Sequence, residues 1–531
     1  RDFCLSRGLG DVYKRQEQGI PMNVLRSAIV VGAGSAGSVV TRRLLDAGVE
    51  VQLLEAGRSD ENPAIHDLGR LGELWLSDDD WGYFTTPQRH AAGRKLHWPR
   101  GKVLGGSHSL NASIWVRGPH ADYDRWVTEG AEGRSWQEVA PYFERAERWI
   151  GPEREGRGTE GLQDVSDEGY ERMPIFEGIH DACVEAGIPH NDDYNGDDVE
   201  GVSWMQLTTR NGERLSSWRA YVHDRMDDPK LTVHTGVWVT KLLIEEGRAV
   251  GVLAEQDGEE REFRADEVIL CAGALDSPRI LLHSGIGSAE HLAEVGIPLT
   301  HDLPGVGENL HDHLLVPIVF HATRREIAQR QTNQPVAQVH SWTTFRQGSP
   351  VPDTQPIFFA LPMVPPGTEV PENCFTLQAG MVRPVSRGHL RLASNDPKAP
   401  LLMDPHVLEA PEDVASLLAS MKQMREIGAQ PALAEEWGAV EVLPGAEVES
   451  DDELIQYMRE QVVTYHHQVG TCKMGPEADP LAVVCPKTLK VHGLEGVRVA
   501  DASVMPSVPS GNTNAPAIMI GERAADFMLQ P

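Results

Sequence analysis

Residues 26–37 read Arg26-Ser-Ala-Ile-Val-Val31-Gly32-Ala-Gly34-Ser35-Ala36-Gly37. The apolar run up to Val31 suits a buried parallel strand. After the glycines, Val39, Val40, Leu44 and Leu45 recur at helical spacing until Gly48, and a second apolar run, Val51-Gln-Leu-Leu54, ends at Glu55. Strand, glycine-rich turn, helix, strand and acid, in that order, form the dinucleotide-binding fingerprint. The first glycine makes the turn, the second admits a pyrophosphate, and the third lets helix and strand pack closely. The helix N-terminus offers free N–H groups and the positive end of its dipole to phosphate. Glu55 is placed to take a ribose hydroxyl pair. A glycine motif alone is weak evidence; with strand, helix and an acid about twenty residues on, it specifies a Rossmann-like unit.

A second glycine-rich stretch runs from Pro99 to Gly118: Pro99-Arg100-Gly-Lys-Val103-Leu-Gly105-Gly106-Ser107-His108-Ser-Leu110-Asn111-Ala112-Ser-Ile114-Trp-Val-Arg-Gly118. Its small side chains let the backbone approach a flat ligand, and its glycines permit the positive-φ conformations such a path needs. Val103, Leu104, Leu110, Ile114, Trp115 and Val116 add apolar bulk that a solvated loop would not carry. The segment reads as buried wall around a large planar group.

The chain has 531 residues, 40% of them hydrophobic, and a formal net charge of −31. Its mean hydropathy is −0.33 and its pI about 5.0. The length allows a large core and two or more domains. The acidic excess opposes nucleic-acid binding, since a phosphate backbone would be repelled. No apolar run reaches the roughly 18 residues a membrane span needs. Cys4, Cys183, Cys271, Cys374, Cys472 and Cys485 are scattered without a C-x-x-C pair, which excludes zinc-type spacing and a dense disulfide scaffold. Cys271, inside Val268-Ile-Leu-Cys-Ala, reads as a core residue, and a cytoplasmic setting is expected. Arg1–Pro21 lacks the apolar centre of a secretory signal; it reads as a non-native or disordered tail, with Met22 a plausible start.

With both glycine motifs placed, the chain resembles the glucose–methanol–choline (GMC) family of FAD-dependent oxidoreductases from about residue 24 to its end. Further landmarks are Gly273-Ala-Leu-Asp-Ser277-Pro278 through Ser284-Gly285-Ile-Gly287, Leu303-Pro-Gly-Val-Gly-Glu-Asn-Leu-His311-Asp312-His313, and the closing region. The resemblance implies an α/β fold: a Rossmann-like FAD-binding domain over 24–310, completed by 457–531. A substrate domain over 311–456, built on an antiparallel sheet, would lie across the flavin. Local patterns agree. Residues 231–270 alternate short strand-like runs with acidic turns, and 411–428 carry Val414, Leu417, Leu418, Met421 and Met424 at helical spacing.

By this resemblance Gly32, Gly34, Ser35, Ala36 and Gly37 serve the pyrophosphate turn, Glu55 binds the adenosine ribose and Val239 lies by the adenine. Arg100, Gly105, Ser107, Asn111 and Ala112 line the pyrophosphate and isoalloxazine, and Asp501 and Ala502 approach from the carboxy-terminal segment. Ala56, Val103, Ile114, Asn512 and Thr513 complete the cofactor set. Some members attach FAD through a histidine just before the asparagine. That position is Leu110, so non-covalent FAD is expected, with His108 packing or lining the pocket.

The chemistry-bearing residues lie near the end, in Thr464-Tyr465-His466-His467-Gln468-Val-Gly470 and in Ser510-Gly-Asn512-Thr513-Asn514-Ala-Pro516. Removing a hydride from an alcohol carbon requires the hydroxyl proton to leave too. A neutral histidine within hydrogen-bond reach accepts it at physiological pH, and an amide beside it fixes the oxygen. Gly470 would let the chain run close to the ring. The family pattern selects His467 as the base and Asn512 as its partner, with His466 supporting or packing. The family usually has proline after the base, whereas this chain has Gln468, so His467 needs another means of orientation, such as a Gln468 hydrogen bond. His311-Asp312-His313 could suggest a metal, but no third ligand is evident and no metal is expected. The acidic loop with Trp75, Asp78, Asp79, Asp80 and Trp81 reads as a lid or channel wall.

The expected reaction is oxidation of a small primary alcohol, aliphatic or aryl, by hydride transfer to flavin N5. It gives an aldehyde and either hydrogen peroxide from dioxygen or a reduced quinone-type acceptor. A choline dehydrogenase-type enzyme with a quinone acceptor is the alternative, and a hydroxynitrile lyase on the same fold a remote one. The oligomeric state, monomer or dimer, is left open by the sequence.

Overall fold

The computed structural model describes residues 25–365 and 367–530; the tail Arg1–Pro21, Met22 and Cys4 lie outside them. Strand Ser27–Val31 is buried from Ala28 onward and pairs in parallel with Glu50–Leu54 and Glu267–Leu270. Leu231–His234 and Val497–Val499 extend this to a five-stranded parallel sheet. The carboxy-terminal strand Val497–Val499 therefore joins the first sheet. Helix Ser35–Asp46 follows the glycine turn, and helix Asn514–Leu529 packs on it. Gly521 makes their close approach possible, because a Cβ there would meet the Ala36 carbonyl oxygen at 2.7 Å. Arg43 donates a paired hydrogen bond to the fully buried Glu522 carboxylate across the same contact. An antiparallel meander, Trp238–Glu245, Arg248–Gln256 and Glu259–Arg264, fills the expected strand-rich stretch.

The second domain is a seven-stranded sheet around Leu314–Ala322 and Cys374–Met381, which pair antiparallel. Side chains alternate across a strand. Phe375, Leu377, Ala379 and Met381 face a core shared with helix Pro411–Gly428, which buries Leu417, Met421 and Met424. The opposite face of Cys374–Met381 looks towards the first domain.

Two segments cross the boundaries drawn from sequence. Strand Gly201–Trp204, assigned with the FAD segment, pairs with Val339–Trp342 at the end of the second sheet. The hairpin His389–Leu392 and Leu401–Asp404, assigned to the substrate domain, buries Leu390, Leu392, Leu401 and Met403 in the first core. Both follow side-chain burial rather than chain order, which a linear boundary cannot express.

Candidate active site

A cavity of about 980 Å³ lies between the two sheets. Its first wall is the glycine turn. Gly32 has φ +99°, the left-handed region that favours glycine. A Cβ on Gly37 would stand 1.9 Å from the Gly32 carbonyl oxygen, so the third glycine is dictated by packing. Gly34 precedes a helix with no side-chain cap and no acidic residue in its first turn. That open N-terminus lines the cavity through Ser35 and Ala36 and suits a phosphate.

Glu55 is buried at the end of its strand. Its carboxylate accepts the Ala33 N–H at 3.0 Å and the Gly57 N–H at 2.8 Å. Burial nevertheless pushes its pKa up to about 7, with the two backbone donors opposing.

The second wall is the other glycine-rich stretch. Gly106, at φ +53°, crosses Gly34 so closely that a Cβ would meet the Gly34 Cα at 2.8 Å. Arg100, Ser107, Leu110, Asn111, Ala112 and Ile114 line the cavity, as do Ala56, Val239, Asp501, Ala502, Asn512 and Thr513. Asp501 accepts from the Gly273 N–H at 2.8 Å and the Ser277 hydroxyl at 2.5 Å, joining the 273–287 landmark to the same site. Three expected cofactor residues stand behind the wall. Gly37 is consumed by the helix–strand contact, and Gly105 donates its N–H to Ala33 O at 3.0 Å. Val103 is buried in a small cluster with Ala64, Ile65, Leu74 and Leu110. These residues shape the wall without facing the cavity, a distinction the spacing does not carry.

His108 also lies behind it. It is fully buried, with Nδ1 2.8 Å from Ser217 Oγ and Nε2 2.9 Å from Thr208 Oγ1. Burial drops its pKa to about 3, Arg214 adding to the effect.

His467 and Asn512 meet in this cavity. His467 Nε2 is 3.2 Å from Asn512 Nδ2, and its Nδ1 is 3.0 Å from His313 Nδ1. Gln355 donates to Asn512 Oδ1 at 3.1 Å. The network then has one consistent direction: Gln355 donates to Asn512, Asn512 to His467 Nε2, and His467 Nδ1–H to His313. His467 is buried, and desolvation, then His313, His466 and Arg100, hold its pKa well below the usual histidine value. The ring of Tyr465 stacks on it, centroids 4.7 Å apart.

In place of the family's proline, orientation comes from Asp312. One carboxylate oxygen accepts the His467 N–H at 2.7 Å, and the other accepts the Gln468 amide at 2.7 Å. Burial lifts Asp312 to about 6, against the opposing His467 N–H, the nearby Thr464 hydroxyl and Arg100. Gln468 thus acts through Asp312. His311 turns away from His313, with Nδ1 2.6 Å from Asn309 O and Nε2 accepting the Val508 N–H at 3.0 Å. Among the described residues, no group of three His, Cys, Asp or Glu side chains is arranged to hold a metal. Gly470 packs against Asn309, where a Cβ would meet the carbonyl oxygen at 2.5 Å, rather than beside a ligand ring.

His466 has φ +68° and gives its carbonyl to Arg100 Nη2 at 2.6 Å; its ring meets Trp75 edge-on. Trp75 and Trp81 line the cavity. The acids between them are turn-formers: buried Asp79 holds Arg58 and Asn62, and buried Asp80 accepts the Arg100 N–H. Asp312, His313, Gln355 and Tyr465 were missed as site residues. The His-Asp-His triplet was the available signal for the first two.

Models of the GMC oxidoreductase family match residues 26–315 and 384–521. The chain belongs to the GMC oxidoreductase family. This GMC oxidoreductase is 38% identical to an alcohol dehydrogenase [acceptor] from Pseudomonas putida, over 94% of this chain and 95% of that one. It is also 38% identical to an oxygen-dependent choline dehydrogenase from Photobacterium profundum, over 96% and 94% of the two chains. The crystal structure of pyridoxine 4-oxidase from Mesorbium loti superposes with a TM-score of 0.87 at 30% identity, covering 94% of this chain and 98% of that one. The GMC oxidoreductase described here is accordingly a flavoprotein acting on CH–OH donors, with an FAD-binding domain and an antiparallel-sheet second domain. No helix among the described residues is long and apolar enough to cross a membrane.

Proposed function

We propose that this enzyme oxidises a neutral primary alcohol with an apolar body, using His467 as the base and Asn512 as the group that holds the oxygen. The observation carrying this reading is the directed chain Gln355–Asn512–His467–His313. It leaves Nε2 unprotonated, with its lone pair facing the Asn512 amide N–H. A hydroxyl entering there inserts into that contact: it donates its proton to His467 Nε2 and accepts the N–H of Asn512 Nδ2. As the proton transfers, the alkoxide oxygen stays held by the amide, which favours loss of hydride from its carbon.

The uncapped helix at Ser35, the Gly34–Gly106 crossing and buried Glu55 fit FAD. When bound, FAD supplies the hydride acceptor. Leucine at position 110 and the fully engaged ring of His108 support non-covalent attachment.

The cavity walls support the reading of the substrate class. Leu315, Ile357, Phe359, Leu361 and Met363 line it, whereas the acids that line the cavity are Glu55, Asp276 and Asp501. Each of those acids is already engaged away from His467, Asp276 by the Tyr83 hydroxyl and the others by backbone N–H groups. A quaternary ammonium would find no free carboxylate among the described residues here, which favours a neutral alcohol over choline.

Anaerobic mixing of the purified yellow protein with benzyl alcohol and with choline tests the reading. Bleaching by the first and little by the second is the expected result. Colour that persists with both, together with cyanohydrin cleavage, would overturn it in favour of a lyase. Hydrogen peroxide release against dye reduction then identifies the acceptor.

A further inference from the structure

Beyond the polar pair, the substrate end of the cavity carries polar groups that the reaction leaves unused. Gln378 is 2% exposed, and its Oε1 has no hydrogen-bond partner among the described residues. In register it stands between Pro317 and Ile357, and all three line the cavity. Tyr465 is 6% exposed, and its hydroxyl is likewise unpartnered in the same cavity. Buried polar groups are ordinarily satisfied, and one left unpaired among apolar walls is costly.

The strand fixes where Gln378 stands relative to the chemistry. Thr376, Gln378 and Gly380 share the face opposite the helix-packed core. Gly380 O accepts the N–H of Gln355, whose side chain holds Asn512. At the other end, Thr376 Oγ1 bonds Leu361 O at 2.9 Å and the Met363 N–H at 2.8 Å, tying down the outer loop. Gln378 is therefore one strand repeat, roughly 7 Å, from Gly380, whose carbonyl holds the backbone of the residue that braces Asn512.

We propose that Gln378, aided by the Tyr465 hydroxyl, recognises a second, neutral hydrogen-bonding group on the alcohol, away from the hydroxyl-bearing carbon. A para-substituted benzyl alcohol carries such a group at the far end of a rigid ring. The proposal rests on the alcohol-oxidising reading and adds a specificity subsite to it. A site built to hydrogen-bond a substrate group discriminates strongly against the analogue lacking it.

The test compares 4-hydroxybenzyl with 4-methylbenzyl alcohol, near-equal in shape, in the FAD-loaded enzyme. The wild type should favour the hydroxy compound in kcat/KM by about tenfold or more, and Gln378→Leu should bring the ratio towards one. Gln378→Met, closer in length, serves as the second variant, with FAD content and circular dichroism reporting its folding. Binding is read separately, from the flavin absorbance change on titration with the corresponding aldehydes. A wild-type ratio near one in both readouts, or a ratio that survives both variants, overturns the proposal. If the aldehydes are discriminated through Gln378 but neither alcohol reduces the flavin, the subsite stands and the oxidoreductase reading falls.

Discussion

His467 and His313 meet Nδ1 to Nδ1 at 3.0 Å. Only one proton fits such a contact, so one ring donates and the other accepts. With Asn512 donating to Nε2 of His467, the proton belongs to His467 Nδ1, and His313 fixes the tautomer that leaves the catalytic nitrogen unprotonated. Both rings are buried, and burial drops His313 to about 3, so His313 remains a neutral acceptor throughout the working range.

Replacing His467 by Ala should slow flavin reduction by about a hundredfold or more, as for a lost general base. Replacing His313 by Phe removes the acceptor and frees the His467 ring to turn. Reduction should slow by about tenfold or more, mainly in kcat, and the acid limb of its pH profile should move. Stopped-flow reduction across pH measures both. Full activity in His467→Ala would remove the base from this residue.

Asn512 has its own brace in Gln355. Asn512→Ala should raise KM and lower kcat together, because the amide holds the oxygen in the ground state and holds it more tightly as the alkoxide forms in the transition state. Gln355→Leu leaves Asn512 in place but unbraced, so it should cost less than Asn512→Ala and leave little further loss in the double variant. Additive losses would show that Gln355 acts independently of Asn512.

Much of this site is legible in the chain because its parts are local. Gly32, Gly34, Gly37 and Glu55 announce a strand–turn–helix by spacing alone, and the family resemblance selects His467 and Asn512. What stays hidden is contact across domains. Asp312 and His467 are 155 residues apart in sequence, and nothing in His311-Asp-His313 tells which of its side chains turns inward. Val103 shows the converse limit. It sits within a cofactor motif, but the turn points its side chain at Leu110 and Ile65. The strand Gly201–Trp204 is too short to declare which sheet it joins, and its partner Val339–Trp342 decides that.

Acid should destabilise the fold through its buried imidazoles. Burial lowers His108, His313, His340 and His466 from 6.5 to about 3. Between those values the unfolded chain binds protons that the native chain refuses. Stability is then lost as pH falls below about 6.5, by at most about 1.4 kcal/mol per unit for each group. Glu55, raised to about 7, and Asp312, raised to about 6, act in the opposite sense by taking protons first in the native state. Histidines outnumber them, so Tm should fall steadily from pH 6.5 to 4.5, with proton uptake on unfolding. A Tm that is flat or rising over that range would contradict the balance.

The crossing of Gly34 and Gly106 makes the sharpest prediction for the cofactor. A Cβ on Gly106 would lie 2.8 Å from Gly34 Cα, a backbone atom that cannot rotate aside, and position 106 has φ +53°. Gly106→Ala must therefore push the two walls apart just where the helix N-terminus faces the cavity. FAD content, read as the ratio of flavin to protein absorbance, should fall well below the wild-type value, and excess FAD should restore it only in part. Gly212→Ala is the control: it too has positive φ, but nothing lies within 4 Å of its Cβ. It should lose about 1 kcal/mol of stability to backbone strain alone and keep its flavin. Equal flavin loss in both variants would mean that the strain, rather than the closed gap between the walls, governs binding.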